Sequence, residues 1–489
     1  MALFILAAAG LRFFRLEQQS LWNDEMFSLE VAALPLPAIQ PELAAHFHHP
    51  PLYFYLLHFV LGWFGQNAWA LRIISAAAGS LTAGLVYYYG RRLAGRWAGA
   101  FAALLCIVSP FHLAYSQEGR PYALAGLLAL ASCASFLMTI RERGRTQAIV
   151  YPAATVALLY THHWGLFVIA AQGITFLLMR RTTPGAARRI VVAWIVIYLL
   201  YLPEVPALFG QSGISRLPQA PTLQQEWFWS RPPSVGELYA MAGAFSGSYF
   251  KMASAAFESP PAIRITASAA LIVLAAAAVA LVFKKGINSA LRGTIACGGL
   301  ALLLPFLASF IWPEVFLWYR YTVILFPLFC VAIGSAPSIP QREGKEAFLG
   351  GLNLWGLCAG AILLLASSAG SVRYYSWSKS NARDVALYAD SLTRAGAGIL
   401  IRPRSFAPLL NYYYRGAAKQ LDETYLDKPL GDIVDTASSF VYCSLDVPNP
   451  IREYMEGHFV KKAERRFPGE AHMGMIVGCY AQPPDTSGD

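Results

Sequence analysis

The chain has 489 residues, of which 56% are hydrophobic and only 13% charged, and its mean hydropathy is +0.45. A soluble protein of this length carries roughly 25% charged residues, so repeated apolar runs at this composition indicate a polytopic α-helical membrane protein. In such a chain the net charge of +10 marks the side on which loops lie and does not argue for nucleic acid.

The N-terminal stretch "MALFILAAAGLRFFRL" has no basic n-region and no small-residue cleavage site. It reads as a first membrane helix and not as a signal peptide, with Arg12 and Arg15 expected to snorkel to an interface. Further apolar runs follow at 69–90, 97–115, 122–140, 148–162, 164–179, 190–202, 263–283, 294–312, 322–333 and 348–369, which makes about eleven spans, some of them short.

Basic residues occupy alternate loops: Arg91, Arg92 and Arg96; Arg141, Arg143 and Arg145; Arg180, Arg181, Arg188 and Arg189; Lys284, Lys285 and Arg292; Arg342 and Lys345. The positive-inside rule assigns these loops to the cytoplasm. The loops with Asp24, Arg120 and Arg320, the long 203–262 segment and the tail are then outside. Counting "PPLYFYLLHFVLGWFG" (residues 50–65) as a span would reverse every later loop, so it is expected to be a helix on the outer membrane surface. The expected organisation is a transmembrane domain over 1–370, with outer loops at 17–67 and 203–262, and an extracytoplasmic α/β domain over 371–489. In that tail "NARDVALYADSLTRAG" and "IREYMEGHF" read as helices, and "GILIRP", "SFVYCSLD" and "MGMIVGCYA" as strands.

The seven cysteines show no metal-ligand spacing. Cys106, Cys133, Cys297, Cys330 and Cys358 are expected as small core residues, whereas Cys443 and Cys479 would be able to pair in an extracytoplasmic tail.

Candidate chemistry lies in the outer loops. In "SLWNDEMFSLE" two readings of Asp24 and Glu25 stay open. Asn23 or Asp24 caps a helix with acids in its first turn, or a carboxylate at the interface beside Trp22 serves as a general base. "AHFHHPPLYF" places His46, His48 and His49 close together. No acidic or cysteine cluster joins them to favour a metal, and Pro50 and Pro51 force an extended entry into the surface helix. "YSQEGRPYAL" puts Gln117, Glu118 and Arg120 in a tight turn, either an ordinary polar turn or a phosphate site. "WPEVFLWYRYTVILFP" places Arg320 between Tyr319 and Tyr321, either an aromatic-belt anchor or a ligand for an anionic headgroup. "THHW" at 161–164 reads as an interfacial turn.

The order "LRFFRLEQQSLWNDE", "HHPPLYFYLLHFVLGWFGQNAWALRIISAAAG", "YYYGRRLAGRWAGAFAALLCIVSPFHLAYSQEGRPYAL" and "WYRYTVILFP" resembles the family 39 glycosyltransferases of the GT-C fold. Relatives in that family are the protein O-mannosyltransferases and the transferases that put aminoarabinose or galacturonic acid on lipid A. The resemblance is strongest over about the first 140 residues. It implies a multi-pass protein of the bacterial cytoplasmic membrane with its active site and C-terminal domain on the outer side. It also implies an inverting glycosyltransferase that uses a polyprenyl-phosphate-linked sugar donor and a glycolipid, glycan or protein acceptor. Asp24 matches the expected base and Glu25 its neighbour. Arg120 and Arg320 match arginines in the family's outer loops and, with His49, are the donor-phosphate candidates. Trp22, His48, Glu118 and Tyr319 fall beside them as substrate-binding candidates. Where the lipid A transferases often have Glu-Lys before the double proline, this chain has His48 and His49. The implied scheme requires no cofactor, and a divalent metal is compatible with it. Two other readings are a lipid-linked sugar transporter, which predicts mid-span charges or paired broken helices, and a non-catalytic sugar-lipid binding subunit.

Overall fold

The computed structural model describes residues 1–46, 49–141, 145–179, 186–206, 234–252, 255–283, 287–311, 319–336, 354–376, 380–393, 398–401, 407–414, 439–445, 456–457, 459–467 and 475–481. By internal contacts the chain divides into two units. The first comprises Met1–Leu16, Ser28–Phe250 and Glu258–Tyr375, and the second Glu17–Phe27, Lys251–Phe257 and Ser376–Asp489.

The first unit is helical. Its elements are α1 (Ala2–Phe13), α3 (Leu36–His46), α4 (Leu52–Phe64), α5 (Ala68–Ala94), α6 (Arg96–Val108), α7 (Pro110–Ser116), α8 (Tyr122–Arg141), α9 (Arg145–Leu159), α10 (Gly165–Met179), α11 (Ala187–Tyr201), α12 (Val235–Ser246), α13 (Pro261–Phe283), α14 (Ser289–Ala308), α15 (Phe326–Ser335) and α16 (Leu354–Ser376). Helix α2 (Asn23–Ala33) begins in the second unit's segment and continues into the first.

Among the described residues, five helices are long and apolar enough to cross a membrane: α5, α8, α13, α14 and the Gly356–Ser376 part of α16. A sixth span results if α6 and α7 are counted as one, bent by 61° between them. The bend has a local cause. Pro110 cannot donate to the helix ladder, and Ser109 caps the new helix by accepting from the His112 amide at 3.4 Å. The run at 322–333 is likewise divided, into a 3-10 segment (Tyr319–Ile324) and α15, which has a proline at its N-terminal end. Most other apolar runs appear as helices of 10 to 17 residues, shorter than a straight crossing of the hydrocarbon layer requires. Helix α4, with 13 residues, is one of these.

Helix α5 is the central element of this unit and packs against α1, α6 and α8. The α5–α6 approach is closed by glycine. A Cβ on Gly99 would stand 2.6 Å from the Arg91 nitrogen and 2.7 Å from the Tyr87 oxygen. Small residues at such crossings let membrane helices approach backbone to backbone.

Arg12 does not snorkel. It is fully buried, and its guanidinium donates to the carbonyls of Ala8 at 3.3 Å and Cys106 at 3.1 Å and to His112 Nδ1 at 2.8 Å. An arginine can only donate, so His112 Nδ1 is the acceptor. The guanidinium is satisfied internally because α7 turns back toward α1 at the Pro110 bend. Cys106, Cys133, Cys297 and Cys330 are buried as expected, but Cys358 is exposed on α16, so it is not a core residue.

In the second unit α17 (Ala382–Thr393) packs its buried face, Val385, Ala386 and Ala389, on a four-stranded sheet. Strands β1 (Tyr249–Met252) and β2 (Ala255–Glu258) form a separate two-stranded sheet, and the four strands here are β3 (Gly398–Ile401), β4 (Ser439–Leu445), β5 (Val460–Phe467) and β6 (Met475–Ala481), in the order β3-β4-β6-β5. β3 and β4 are parallel, and the β4–β6 and β6–β5 pairs are antiparallel. A short helix, α18 (Ala407–Tyr413), follows β3. Three strands and α17 match the sequence expectation. β5, "VKKAERRF", was not expected because its charged residues mask the apolar alternation. Such charge is typical of a protected sheet edge. Most of "IREYMEGHF" lies outside the described residues. Cys443 and Cys479 are both free thiols. In the β4–β6 register Cys443 faces Val477 and Cys479 faces Val441, so neither cysteine stands opposite the other.

Candidate functional site

The turn between α7 and α8 gathers several buried polar side chains of the first unit. Pro121 ends the turn, which starts where Gln117 caps another helix. The Gln117 amide donates to the carbonyls of Arg12 at 2.9 Å and Phe14 at 2.8 Å, satisfying the open C-terminal end of α1. The turn is closed by the Arg120 amide on the Glu118 carbonyl at 2.8 Å, and the Arg120 carbonyl accepts from Ser75 Oγ on α5 at 3.0 Å.

The side chain held by this turn is a fork. Arg120 is only 4% exposed. Its Nη1 donates to Ser28 Oγ at 3.2 Å, and its Nη2 to His49 Nε2 at 2.8 Å. The second bond determines a protonation state. Since arginine has no lone pair to offer, Nε2 of His49 must accept, so His49 is neutral and carries its proton on Nδ1. Glu118 is fully buried and therefore lies in the protein interior and not on the surface of the turn.

Aromatic rings surround the guanidinium. The Arg120 side chain lies 5.9 Å from the Tyr122 ring, and Tyr122 is 5.9 Å from Tyr321. His162, in the turn between α9 and α10, stands 4.9 Å from Tyr321, 5.7 Å from Tyr122 and 6.3 Å from His49. Its Nδ1 accepts from the Trp164 amide at 3.2 Å. Burial, helped by the neighbouring His163 and Arg120, depresses its pKa to about 3. His162 is therefore a neutral wall of the cluster at ordinary pH.

Arg320 is 8% exposed at the start of the 3-10 segment that packs on α8. It is buried and not an aromatic-belt anchor. The structure thus brings Arg120, His49 and the segment bearing Arg320 to one end of α8. The side chain of Tyr319, and His48 entirely, lie outside the described residues.

An apolar groove of about 320 Å³ opens two residues beyond His49, lined among others by Pro51, Leu52, Tyr55, Ala157 and Tyr160. At its edge Gln40 donates to Glu204 at 3.0 Å.

The acidic pair belongs to the second unit's segment. The Trp22 carbonyl accepts from the amides of Glu25 and Met26, both at 2.9 Å. Trp22 therefore holds the cap position of α2, and Asp24 and Glu25 lie in its first turn. Neither Asn23 nor Asp24 is the N-cap expected from sequence. The acids instead complement the helix dipole. Glu25 is fully buried, Trp22 is 9% exposed and Asp24 is half-buried, so of the two carboxylates only Asp24 is partly exposed. Ser28, the residue that receives Arg120, lies one turn further along the same helix.

Ser28, Ser75, Tyr122 and His162 were missed from sequence. Only "THHW" carried a signal, and it read as a turn. Among the described residues no three His, Cys, Asp or Glu side chains gather as a metal site.

Residues 48–206 match the family model described as dolichyl-phosphate-mannose-protein mannosyltransferase. That stretch contains His49, Glu118, Arg120 and His162. The fold is similar to the archaeal oligosaccharyltransferase AglB from Archaeoglobus fulgidus, in a complex with an inhibitory peptide and a dolichol-phosphate. The TM-score is 0.50 and the identity 12%, over 90% of this chain and 69% of that one. The apo form of the Archaeoglobus fulgidus enzyme gives a TM-score of 0.51 at 11% identity, with the same coverage. The chain has the GT-C glycosyltransferase fold. ArnT from Cupriavidus metallidurans bound to undecaprenyl phosphate aligns over 98% of this chain and 97% of its own, at 15% identity and a TM-score of 0.44. No curated protein matches the chain. The resemblance carried by "HHPPLYF" and "YSQEGRPYAL" thus falls within the matched stretch of this GT-C chain, whereas Asp24, Glu25 and Arg320 lie outside residues 48–206.

Proposed function

We propose that the protein is an inverting glycosyltransferase that moves a sugar from a polyprenyl-phosphate donor to an acceptor hydroxyl at the outer face of the bacterial cytoplasmic membrane. The carrying observation is the forked, buried Arg120 bonded to His49 within the stretch that matches the mannosyltransferase family. A guanidinium in this setting is suited to a phosphodiester, because its donors form a planar fork and its charge is poorly screened by water.

A lipid-linked donor keeps its phosphate at the membrane surface. In this reading Arg120, with Arg320, binds that phosphate and stabilises the negative charge that develops on the departing polyprenyl phosphate. The apolar groove beside Pro51 and Leu52 offers room for an isoprenoid chain. Asp24, half-buried in the first turn of α2, accepts the proton of the acceptor hydroxyl as that oxygen attacks the anomeric carbon opposite the leaving phosphate. One displacement follows, with inversion and no covalent intermediate. Glu25, being fully buried, supports the first turn of α2 and does not touch the acceptor.

The test compares the envelope glycolipids and glycoproteins of cells with the wild-type protein, without it, and with Asp24→Asn. The expected result is one sugar modification missing from both the deletion and the Asp24→Asn strain, with the variant protein present in the membrane. A normal modification pattern in the Asp24→Asn strain would remove Asp24 as the base.

A further inference from the structure

The segment that leads into Asp24 is held by the C-terminal domain. Within the second unit, the buried Leu21 amide donates to the Tyr413 hydroxyl at 2.7 Å. Tyr413 lies at the end of α18, almost four hundred residues away in sequence. One residue earlier, Ser20 Oγ accepts from the Arg383 amide at 3.2 Å, at the start of α17. The Arg383 side chain reaches back along the same segment. Nη1 donates to the Gln18 carbonyl at 3.4 Å and Nη2 to the Glu17 carbonyl at 3.3 Å. Its guanidinium lies 5.3 Å from the Tyr413 ring, so the two clamping side chains also brace each other.

These contacts act mainly on the backbone of residues 17–21. Among the described residues that backbone pairs with no strand, and it passes directly into Trp22, whose carbonyl starts α2. The position and tilt of the first turn of α2, and so of the Asp24 carboxylate, are set by where this segment enters. A general base displaced by about 1 Å loses much of its effect.

We propose that Arg383 and Tyr413 are positioning residues for Asp24, and that one role of the C-terminal domain is to clamp the Glu17–Leu21 segment so that the base is presented in a fixed place. This rests on the glycosyltransferase reading above. It assigns the tail a part in turnover without requiring it to touch donor or acceptor. Tyr413 supplies a hydroxyl acceptor to one buried amide, and Arg383 supplies the fork that spans two carbonyls.

The experiment uses the full-length protein, purified in detergent and added to membranes of the deletion strain. Those membranes provide the acceptor, and their lipid extract, which retains the unused polyprenyl-linked donor, is titrated as the probe. Tyr413→Phe removes one hydroxyl, Arg383→Ala the fork, and Arg383→Lys leaves a single-pronged cation. The proposal expects kcat to fall about tenfold or more in Tyr413→Phe and Arg383→Ala, with the KM for the donor extract within twofold of wild type. Arg383→Lys should be intermediate. Amide exchange at Leu21–Glu25 should accelerate in the two damaging variants, while exchange in β4 and β6 stays as in wild type. Wild-type kcat in folded Tyr413→Phe and Arg383→Ala would overturn the proposal. So would a loss confined to KM, or faster exchange throughout the sheet, which marks general destabilisation. Wild-type turnover by Asp24→Asn in the same assay would overturn the parent reading. A fully active Tyr413→Phe beside an inactive Asp24→Asn would sink the clamp alone.

Discussion

Nη2 of Arg120 lies 2.8 Å from Nε2 of His49, and because only the arginine can donate, the imidazole is neutral. The pair joins the α7–α8 turn to the double-proline entry of α4. A cation is thereby kept within the protein in a low-dielectric setting, with Ser28 holding its other prong. In the proposed reaction a phosphate oxygen of the donor takes the place of His49 on this prong.

Arg120→Lys keeps the charge and loses the fork. It should lower kcat/KM for sugar transfer by about ten- to a hundredfold, or about 1.4 to 2.7 kcal/mol. Initial rates with donor extract and a thermal melt in detergent check this. An unchanged rate in a folded variant would mean that the fork does not contact the donor.

Asp24→Asn should reduce turnover by at least about a hundredfold, the usual scale for removing a general base, with normal membrane insertion. Asparagine has the shape of aspartate and Trp22, not Asp24, holds the cap of α2, so the variant separates chemistry from helix initiation. Initial rates of the membrane-inserted variant against wild type are the measurement.

His162 gives a stability prediction with a definite sign. Its folded pKa is about 3 against an ordinary 6.5, so the unfolded chain takes up a proton that the folded chain refuses. The stabilisation is complete above about pH 6.5 and is lost as pH falls toward 3, with a slope approaching about 1.4 kcal/mol per pH unit. Melting temperatures between pH 7 and pH 5 should show this fall, and His162→Phe should flatten it.

Gly79→Ala tests the packing behind the site. A Cβ there would stand 2.7 Å from Ser116 Cβ and 2.9 Å from Arg12 Nε. Overpacking should cost about 1 to 3 kcal/mol. The buried Arg12 network cannot yield without losing its bonds to Ala8, Cys106 and His112. Thermal stability in detergent reads the effect.

Much of this molecule is written in local pattern. Apolar runs locate α5, α8, α13 and α14 within a few residues, because a helix in a membrane is specified by its own length and composition. The "WNDE" and "EGR" stretches stood out because charge is scarce in this chain. The strands "SFVYCSL" and "MIVGCYA" were legible from β-branched and aromatic residues, whereas "VKKAERRF" was not, because an edge strand's charges hide its period. Arg12 was misread because its partners, Cys106 and His112, come from a helix pair bent at Pro110.

What the sequence by itself determined is therefore the membrane-protein class and the candidate arginines and acids, but not that Glu17–Phe27 and Lys251–Phe257 group with the C-terminal residues. Each follows from local composition or spacing. Only the tertiary structure decided that Arg120 forks between Ser28 and His49, that His162 stays neutral, that Glu25 is buried while Asp24 is partly open, and that Arg383 and Tyr413 hold the segment before α2. These are facts of burial and of contacts between residues tens to hundreds of positions apart. Desolvation and hydrogen-bond geometry arise only when the chain has brought such residues together.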